Sequence, residues 1–128
     1  MDSELQRRKS VLVVEDEAMV SLLLVDMLKE MGCTIAGVAT KLDQALSLAQ
    51  TLEIDFAVLD LNLDGQFALP VADVLAKRGV PIIFSTGYGE GALPERFETT
   101  PALHKPFQIH DLERAIHTAL QTANGSQE

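Results

Sequence analysis

The sequence predicts one α/β domain built on a doubly wound, five-stranded parallel sheet. Three observations carry that prediction. Short β-branched and apolar runs alternate with stretches of helical period, the pattern of βαβ units joined by right-handed crossovers. The first run, Val11-Leu12-Val13-Val14, is apolar at every position, as a strand covered on both faces requires. With 128 residues, 47% hydrophobic and 23% charged, the chain can bury a core of its own and leaves little room for a second domain.

The elements follow in order. After the first strand, Val20, Leu23, Leu24, Met27, Leu28 and Met31 recur at helical spacing, and Gly32 ends that helix. Met19 is expected on or beside the same stripe. A second strand reads through Ile35 to Ala39. The next helix places Leu42, Ala45, Leu46 and Ala49 on one face, with Thr40 as its expected N-cap. Phe56 to Leu59 is the third strand, ending at Asp60. Pro70 suits a helix first turn, Val71, Val74 and Leu75 continue that helix, and Gly79 ends it. Ile82-Ile83-Phe84 is the fourth strand. From Gly87 to Thr100 the chain is punctuated by Gly and Pro, so the fourth helix is expected to be short or irregular, around Leu93 to Phe97. A short strand at Ala102 to His104 precedes a helix that turns Ile109, Leu112, Ile116, Ala119 and Leu120 inward. The domain is assigned to residues 10–123, between a flexible tail at 1–9 and a small polar tail at 124–128.

Charge narrows the partners. The formal net charge is −9 and the pI about 4.7, and the only basic cluster is Arg7, Arg8 and Lys9, so no nucleic-acid partner is expected. The longest nearly apolar stretch, Ala18 to Val25, is too short to cross a bilayer, and the acidic start Met1-Asp2-Ser3-Glu4 lacks the apolar region of a signal peptide. No membrane association and a cytoplasmic location are the expectations. The lone Cys33 excludes an internal disulfide and reads as a small apolar residue at a strand edge. His110 and His117 read as solvated helix residues, and His104 has no partner legible in the sequence.

In such a fold, ligands bind beyond the carboxyl ends of the strands. Glu15 and Asp16 end the first strand, Asp60 the third, Ser85 and Thr86 the fourth, and Lys105 follows the fifth. Scattered surface residues would not favour strand ends in this way. Two carboxylates about 4 Å apart repel by roughly 4 kcal/mol at an effective dielectric of about 20. Three of them call for a cation, and an all-oxygen donor set suits Mg²⁺. Lys105 adds a second positive charge and Thr86 a hydroxyl, a combination able to hold a transferred phosphoryl group with a carboxylate as nucleophile.

The runs Val11-Leu12-Val13-Val14-Glu15-Asp16-Glu17, Val58-Leu59-Asp60-Leu61-Asn62-Leu63-Asp64-Gly65, Phe84-Ser85-Thr86-Gly87 and Lys105-Pro106-Phe107 resemble a bacterial two-component response-regulator receiver domain. The resemblance covers residues 10–122. Asp60 stands 44 residues after Asp16, Thr86 26 after Asp60 and Lys105 45 after Asp60, intervals that agree with the family's. Each motif is weak alone; four in order at strand ends are specific. The resemblance implies the flavodoxin-like strand order 2-1-3-4-5. It implies Asp60 as acceptor of a phosphoryl group from a histidine kinase or a histidine phosphotransfer protein. It further implies Asp16, Asp60 and the Asn62 backbone carbonyl as Mg²⁺ ligands, Glu15 acting through water, Thr86 as a mobile switch, Lys105 as a phosphoryl partner and a cis Lys105-Pro106 bond. Self-directed transfer and autodephosphorylation are expected, not an enzyme that turns over a separate substrate.

Two departures stand out. Many receivers carry an aromatic residue on the last strand where this chain has Ala102, so that part of the switch is absent or relocated, with Tyr88 a possible substitute. The run from Phe84 to Tyr88 resembles the Phe-Ala-Thr-Gly-Tyr signature of stand-alone receivers, with Ser85 replacing Ala. The shortened fourth helix argues against the usual dimer, so a monomer or weak dimer is expected. Glu17 reads as a solvated helix cap, Asp64-Gly65 as turn chemistry, and Gly87-x-Gly89-x-Gly91 as a loop without a phosphate-binding helix behind it. A phosphatase would want a second aspartate where Asn62 stands. A flavin binder would not place Glu15-Asp16-Glu17 at its phosphate loop. The alternative is a degenerate receiver acting as a phosphorylation-independent binding module.

Overall fold

The computed structural model describes residues 9–87 and 93–125, with side chains as far as Gln121. In chain order its elements are β1 (Ser10–Val14), α1 (Ala18–Glu30), β2 (Thr34–Ala39), α2 (Leu42–Thr51), β3 (Phe56–Asp60), β4 (Asn62–Leu63), β5 (Gln66–Phe67), α3 (Leu69–Lys77), β6 (Ile82–Thr86), a 3-10 turn at Glu95–Phe97, β7 (Ala102–His104) and α4 (Ile109–Gly125). The main sheet runs β2-β1-β3-β6-β7 with every pairing parallel, which is the 2-1-3-4-5 order the resemblance implies.

Strand alternation divides the core into two layers. Val11, Val13, Phe56, Val58 and Ile83 pack with Leu24 and Leu28 of α1 and Leu112 and Ile116 of α4. Leu12, Val14, Ala57, Leu59 and Phe84 face the other way, onto Ala45 and Ala49 of α2, Val71 and Leu75 of α3, and Phe97 of the 3-10 turn. β1, β3 and β6 are therefore covered on both faces, which is why their sequences are almost wholly apolar until their last residues. Each fully buried Leu, Val or Phe contributes about 1.5–3 kcal/mol of transfer free energy.

Close packing constrains β2 as well. Its register with β1 shifts between Val11 and Leu12, and a Cβ on Gly37 would stand 3.0 Å from Leu52 Cδ1. A side chain there would press on Leu52 and Leu48, so glycine lets that strand and the end of α2 approach without their moving.

Several local expectations are corrected. Lys41, not Thr40, is the N-cap of α2, and it makes no side-chain capping bond. Thr40 instead donates its N–H to Gln44 Oε1 at 3.0 Å, so a side chain of the first helical turn reaches back to cap the chain. Leu24 and Leu28 of α1 and Met31 at its C-cap are buried, but Met19 and Leu23 are 78% and 48% exposed, so the inward stripe is narrower than the spacing suggests. β6 extends two residues beyond Phe84, and Ser85 and Thr86 lie within the strand. The antiparallel pair β4–β5 was not foreseen; its two-residue turn puts Asp64 at φ 50° and Gly65 at φ 86°, conformations an Asp-Gly turn supplies. The short helix expected near Leu93 to Phe97 is a single 3-10 turn, fixed by Phe97 packed edge-on against Phe84 at 5.5 Å and by Arg96 paired with Asp73. Tyr88 and the glycines at 89 and 91 lie outside the described residues. α4 runs to Gly125, into residues read as a tail.

Candidate functional site

Two strands, β1 and β3, deliver three carboxylates to one edge of the sheet. β1 ends at Val14, and the next residue, Glu15, is held by its N–H bonding Ala39 O at 3.0 Å; its side chain is fully buried. β3 carries Asp60 as its last residue, 3% exposed. Asp16 follows Glu15, and its Oδ2 accepts the N–H of Asp64 at 2.9 Å, so the β4–β5 turn orients it. Ligand oxygens from Glu15, Asp16 and Asp60 all lie within 4.8 Å of one another.

Lys105 ties this cluster together from the far edge of the sheet. Its N–H bonds Thr86 O at 2.8 Å, its peptide bond to Pro106 is cis as expected, and its Nζ reaches Asp60 Oδ2 and Glu15 Oε1, both at 3.0 Å. It also approaches Glu17 Oε1 at 3.4 Å. Glu17 is thus the N-cap residue of α1, as read, but makes no side-chain capping bond, and its exposed carboxylate joins the rim of the site. The sequence offers no signal for that pairing, because 88 residues separate the two partners.

Burial sets the protonation of the site. Desolvation pushes Glu15 up from 4.5 to about 7, helped by the charge of Asp60 and opposed by the Glu17 N–H and by Lys105. Desolvation likewise raises Asp60, against the Asn62 N–H and Lys105. For Lys105, burial favours the neutral amine, but hydrogen bonds and charge from Asp60 and Glu15 outweigh it and raise its pKa. The carboxylates titrate as a linked set rather than one by one.

The donors leave room for a second cation. Glu15 Oε1 is buried without a hydrogen bond of acceptable geometry, although the Lys105 ammonium is close. One ammonium cannot neutralise three carboxylates. A buried oxygen with an open lone pair, beside two further carboxylates, fits a hard divalent cation such as Mg²⁺. Asn62 sits alongside: its N–H donates to Asp60 Oδ1 at 3.1 Å, while its side-chain Oδ1 accepts the N–H of Gly65 at 2.7 Å.

Thr86 is placed differently. Its hydroxyl turns toward β7, 3.3 Å from Leu103 O and 3.1 Å from His104 Nδ1. Ser85 pairs in register with Asp60, and strand alternation puts both on the face of Val58 and Ile83; its Oγ is buried with no hydrogen-bond partner. Sequence reasoning noted Ser85 as a strand-end hydroxyl but gave it no place in the site. Among the described residues the carboxylate cluster is the only group of acidic, His and Cys side chains close enough to share a metal ion. His110 is exposed near Glu113, and Cys33 is a buried thiol pushed up to about 11 by desolvation and by Asp55.

A family model described as the response regulator receiver domain matches residues 11–117. The chain belongs to that family. It is 34% identical over 123 residues to the transcriptional regulatory protein PdtaR of Mycobacterium tuberculosis, covering 93% of this chain and 59% of that protein. It is 31% identical over 116 residues to the positive alginate biosynthesis regulatory protein of Pseudomonas aeruginosa, covering 86% and 46%. The receiver thus spans only about half the length of these curated relatives. Among solved structures, SdrG of Sphingomonas melonis Fr1 superposes with a TM-score of 0.80 at 35% identity, covering 89% of this chain and 97% of that one. The response regulator PhyR from Brucella abortus gives 0.79 at 26%, covering 98% and 54%. As a response regulator receiver, the domain belongs to two-component phosphorelay signalling, whose receivers work with histidine-kinase-type partners and bind Mg²⁺ through acidic residues. No helix of the described residues is long and apolar enough to cross a membrane.

Proposed function

We propose that Asp60 accepts a phosphoryl group, in a Mg²⁺-dependent step, from a histidine kinase or a histidine phosphotransfer protein, and that the phosphorylated form binds a partner protein in the cytoplasm. One observation carries this reading. A buried strand-end carboxylate is held between a lysine ammonium at 3.0 Å and two further carboxylates that need a cation.

The chain's own residues account for most of the chemistry. A carboxylate oxygen of Asp60 attacks phosphorus, the P–N bond of the phosphohistidine donor breaks, and the imidazole leaves with the electron pair. Lys105 passes from a carboxylate oxygen of Asp60 to a phosphoryl oxygen, keeping its ammonium paired throughout. The Thr86 hydroxyl donates to another phosphoryl oxygen once it turns from β7. Asp16, Asp60 and the Asn62 carbonyl would hold Mg²⁺, with Glu15 acting through water; the bound ion would screen the charge between the carboxylates and the incoming phosphoryl group. Later attack of water on the acyl phosphate restores Asp60. This chemistry is self-directed, and no separate substrate is turned over.

Intact-mass spectrometry after incubation with Mg²⁺ and acetyl phosphate, or with a phosphorylated histidine phosphotransfer protein, tests the reading. A base-labile phosphate adduct is expected on the wild type, absent without Mg²⁺ and absent from Asp60→Asn. Failure of both donors to label folded wild-type protein would reject it in favour of a phosphorylation-independent binding module.

A further inference from the structure

We infer that His104 is a positioning residue for Thr86: it holds the Thr86 hydroxyl on β7 in the resting protein and is released at the sheet edge when that hydroxyl turns to the phosphoryl group. The inference rests on the phosphoryl-acceptor reading of Asp60. β6 and β7 pair in parallel with Thr86 opposite His104, so the two side chains share one face of the sheet, and Thr86 Oγ1 stands 3.1 Å from His104 Nδ1. Thr86 is 8% exposed while His104 is exposed, so the pair links a buried hydroxyl to the surface.

A hydroxyl has one proton to donate. If Nδ1 carries no hydrogen, Thr86 spends its proton on His104. If Nδ1 carries one, the ring donates to Thr86 Oγ1, and Thr86 spends its proton on Leu103 O at 3.3 Å. In both arrangements the hydroxyl is committed to β7, and a phosphoryl oxygen on Asp60 competes with His104 for it. The neighbouring position on β7 toward the start of the strand is Leu103, buried in the core, and Ala102 beyond it has no polar group, so the imidazole is the one side chain of β7 that can register where the Thr86 hydroxyl points. The switch then consists of a hydrogen bond exchanged between an exposed ring and a phosphoryl group, in place of a rotating aromatic ring.

The test compares wild type, His104→Phe, Thr86→Val and the double variant in binding beryllofluoride, a phosphoryl analogue, in the presence of Mg²⁺. Removing one net hydrogen bond is expected to tighten binding to His104→Phe by about 2- to 10-fold. Thr86→Val should bind more weakly than wild type, and the double variant should match Thr86→Val, since His104 acts only through that hydroxyl. In ¹⁵N-labelled wild type, the His104 Nδ1 resonance should shift on binding the analogue, and that shift should vanish in Thr86→Val. An unchanged affinity in His104→Phe, an effect of that substitution that survives in the Thr86→Val background, or a stationary Nδ1 resonance in analogue-bound wild type each overturns the inference while the acceptor reading stands. Wild type that binds no analogue at all overturns both.

Discussion

The two ends of the site are held by opposite physics. At the ends of β1 and β3, buried carboxylates crowd one ammonium, and ion pairs hold their side chains together. At the ends of β6 and β7, Thr86 meets His104 and Leu103 O through neutral hydrogen bonds, one of them at 3.3 Å. Charged contacts among buried groups are costly to disturb, because any partner removed leaves a charge without compensation. Neutral contacts exchange at a cost of about 1 kcal/mol. The proposed function needs both: an acceptor that stays where it is, and a reporter that moves for little.

The largest expected effect bears on the charged end. Lys105→Met leaves Glu15 and Asp60 buried without their ammonium and should destabilise the Mg²⁺-free protein by about 2–4 kcal/mol at pH 8. Urea denaturation should show much of that loss recovered by millimolar Mg²⁺, and a smaller loss at pH 5, where the carboxylates take up protons. A variant as stable as wild type at pH 8 would mean the cluster is solvated rather than buried.

Next in size is the pH dependence of the unsubstituted protein. Glu15 ionises near 4.5 when unfolded and at about 7 when folded. Between those values the unfolded chain loses a proton that the folded protein keeps. Stability without Mg²⁺ should therefore fall as pH rises through that window, by about 1–3 kcal/mol, and stay low above it. Glu15→Gln should flatten the fall, and Mg²⁺ should oppose it. Stability that rises from pH 5 to pH 8 in urea midpoints would contradict the charge arrangement described for this end.

The smallest effect belongs to the neutral end. Thr86→Val keeps the shape of the side chain and removes one hydroxyl, at an expected cost of about 1 kcal/mol or less in the same denaturation measurement. If that variant lost as much stability as Lys105→Met, the contrast between a fixed acceptor and a cheaply moved reporter would collapse.

Much of this is legible in the sequence. The uninterrupted apolar runs of β1, β3 and β6 stop at polar residues, and in a parallel sheet those stops fall on one edge, so Glu15, Asp16, Asp60, Thr86 and Lys105 could be named from position alone. Local signals failed where a competing partner or the packing beneath them decided the outcome. Thr40 has the chemistry of an N-cap, but the turn is capped by Gln44 instead. Leu23 keeps helical spacing, yet the layer beneath α1 is narrower than its stripe. The Asp64-Gly65 turn was readable, whereas the ladder it closes was not, because its strands, Asn62–Leu63 and Gln66–Phe67, are each two residues long, too short to show an alternating pattern.

The sequence by itself determined the sheet, its two covered faces and the edge where the charged residues gather, because strand burial and parity depend on residues near one another in the chain. Only the tertiary structure decided which groups meet at that edge. Lys105 bridges Glu15 and Asp60 across intervals of 90 and 45 residues, and Thr86 turns to His104 rather than to the carboxylates. Those partnerships depend on the register between distant strands and on how deeply each side chain is buried, and burial, which shifts the ionisation of Glu15, belongs to the packed sheet and not to any stretch of chain.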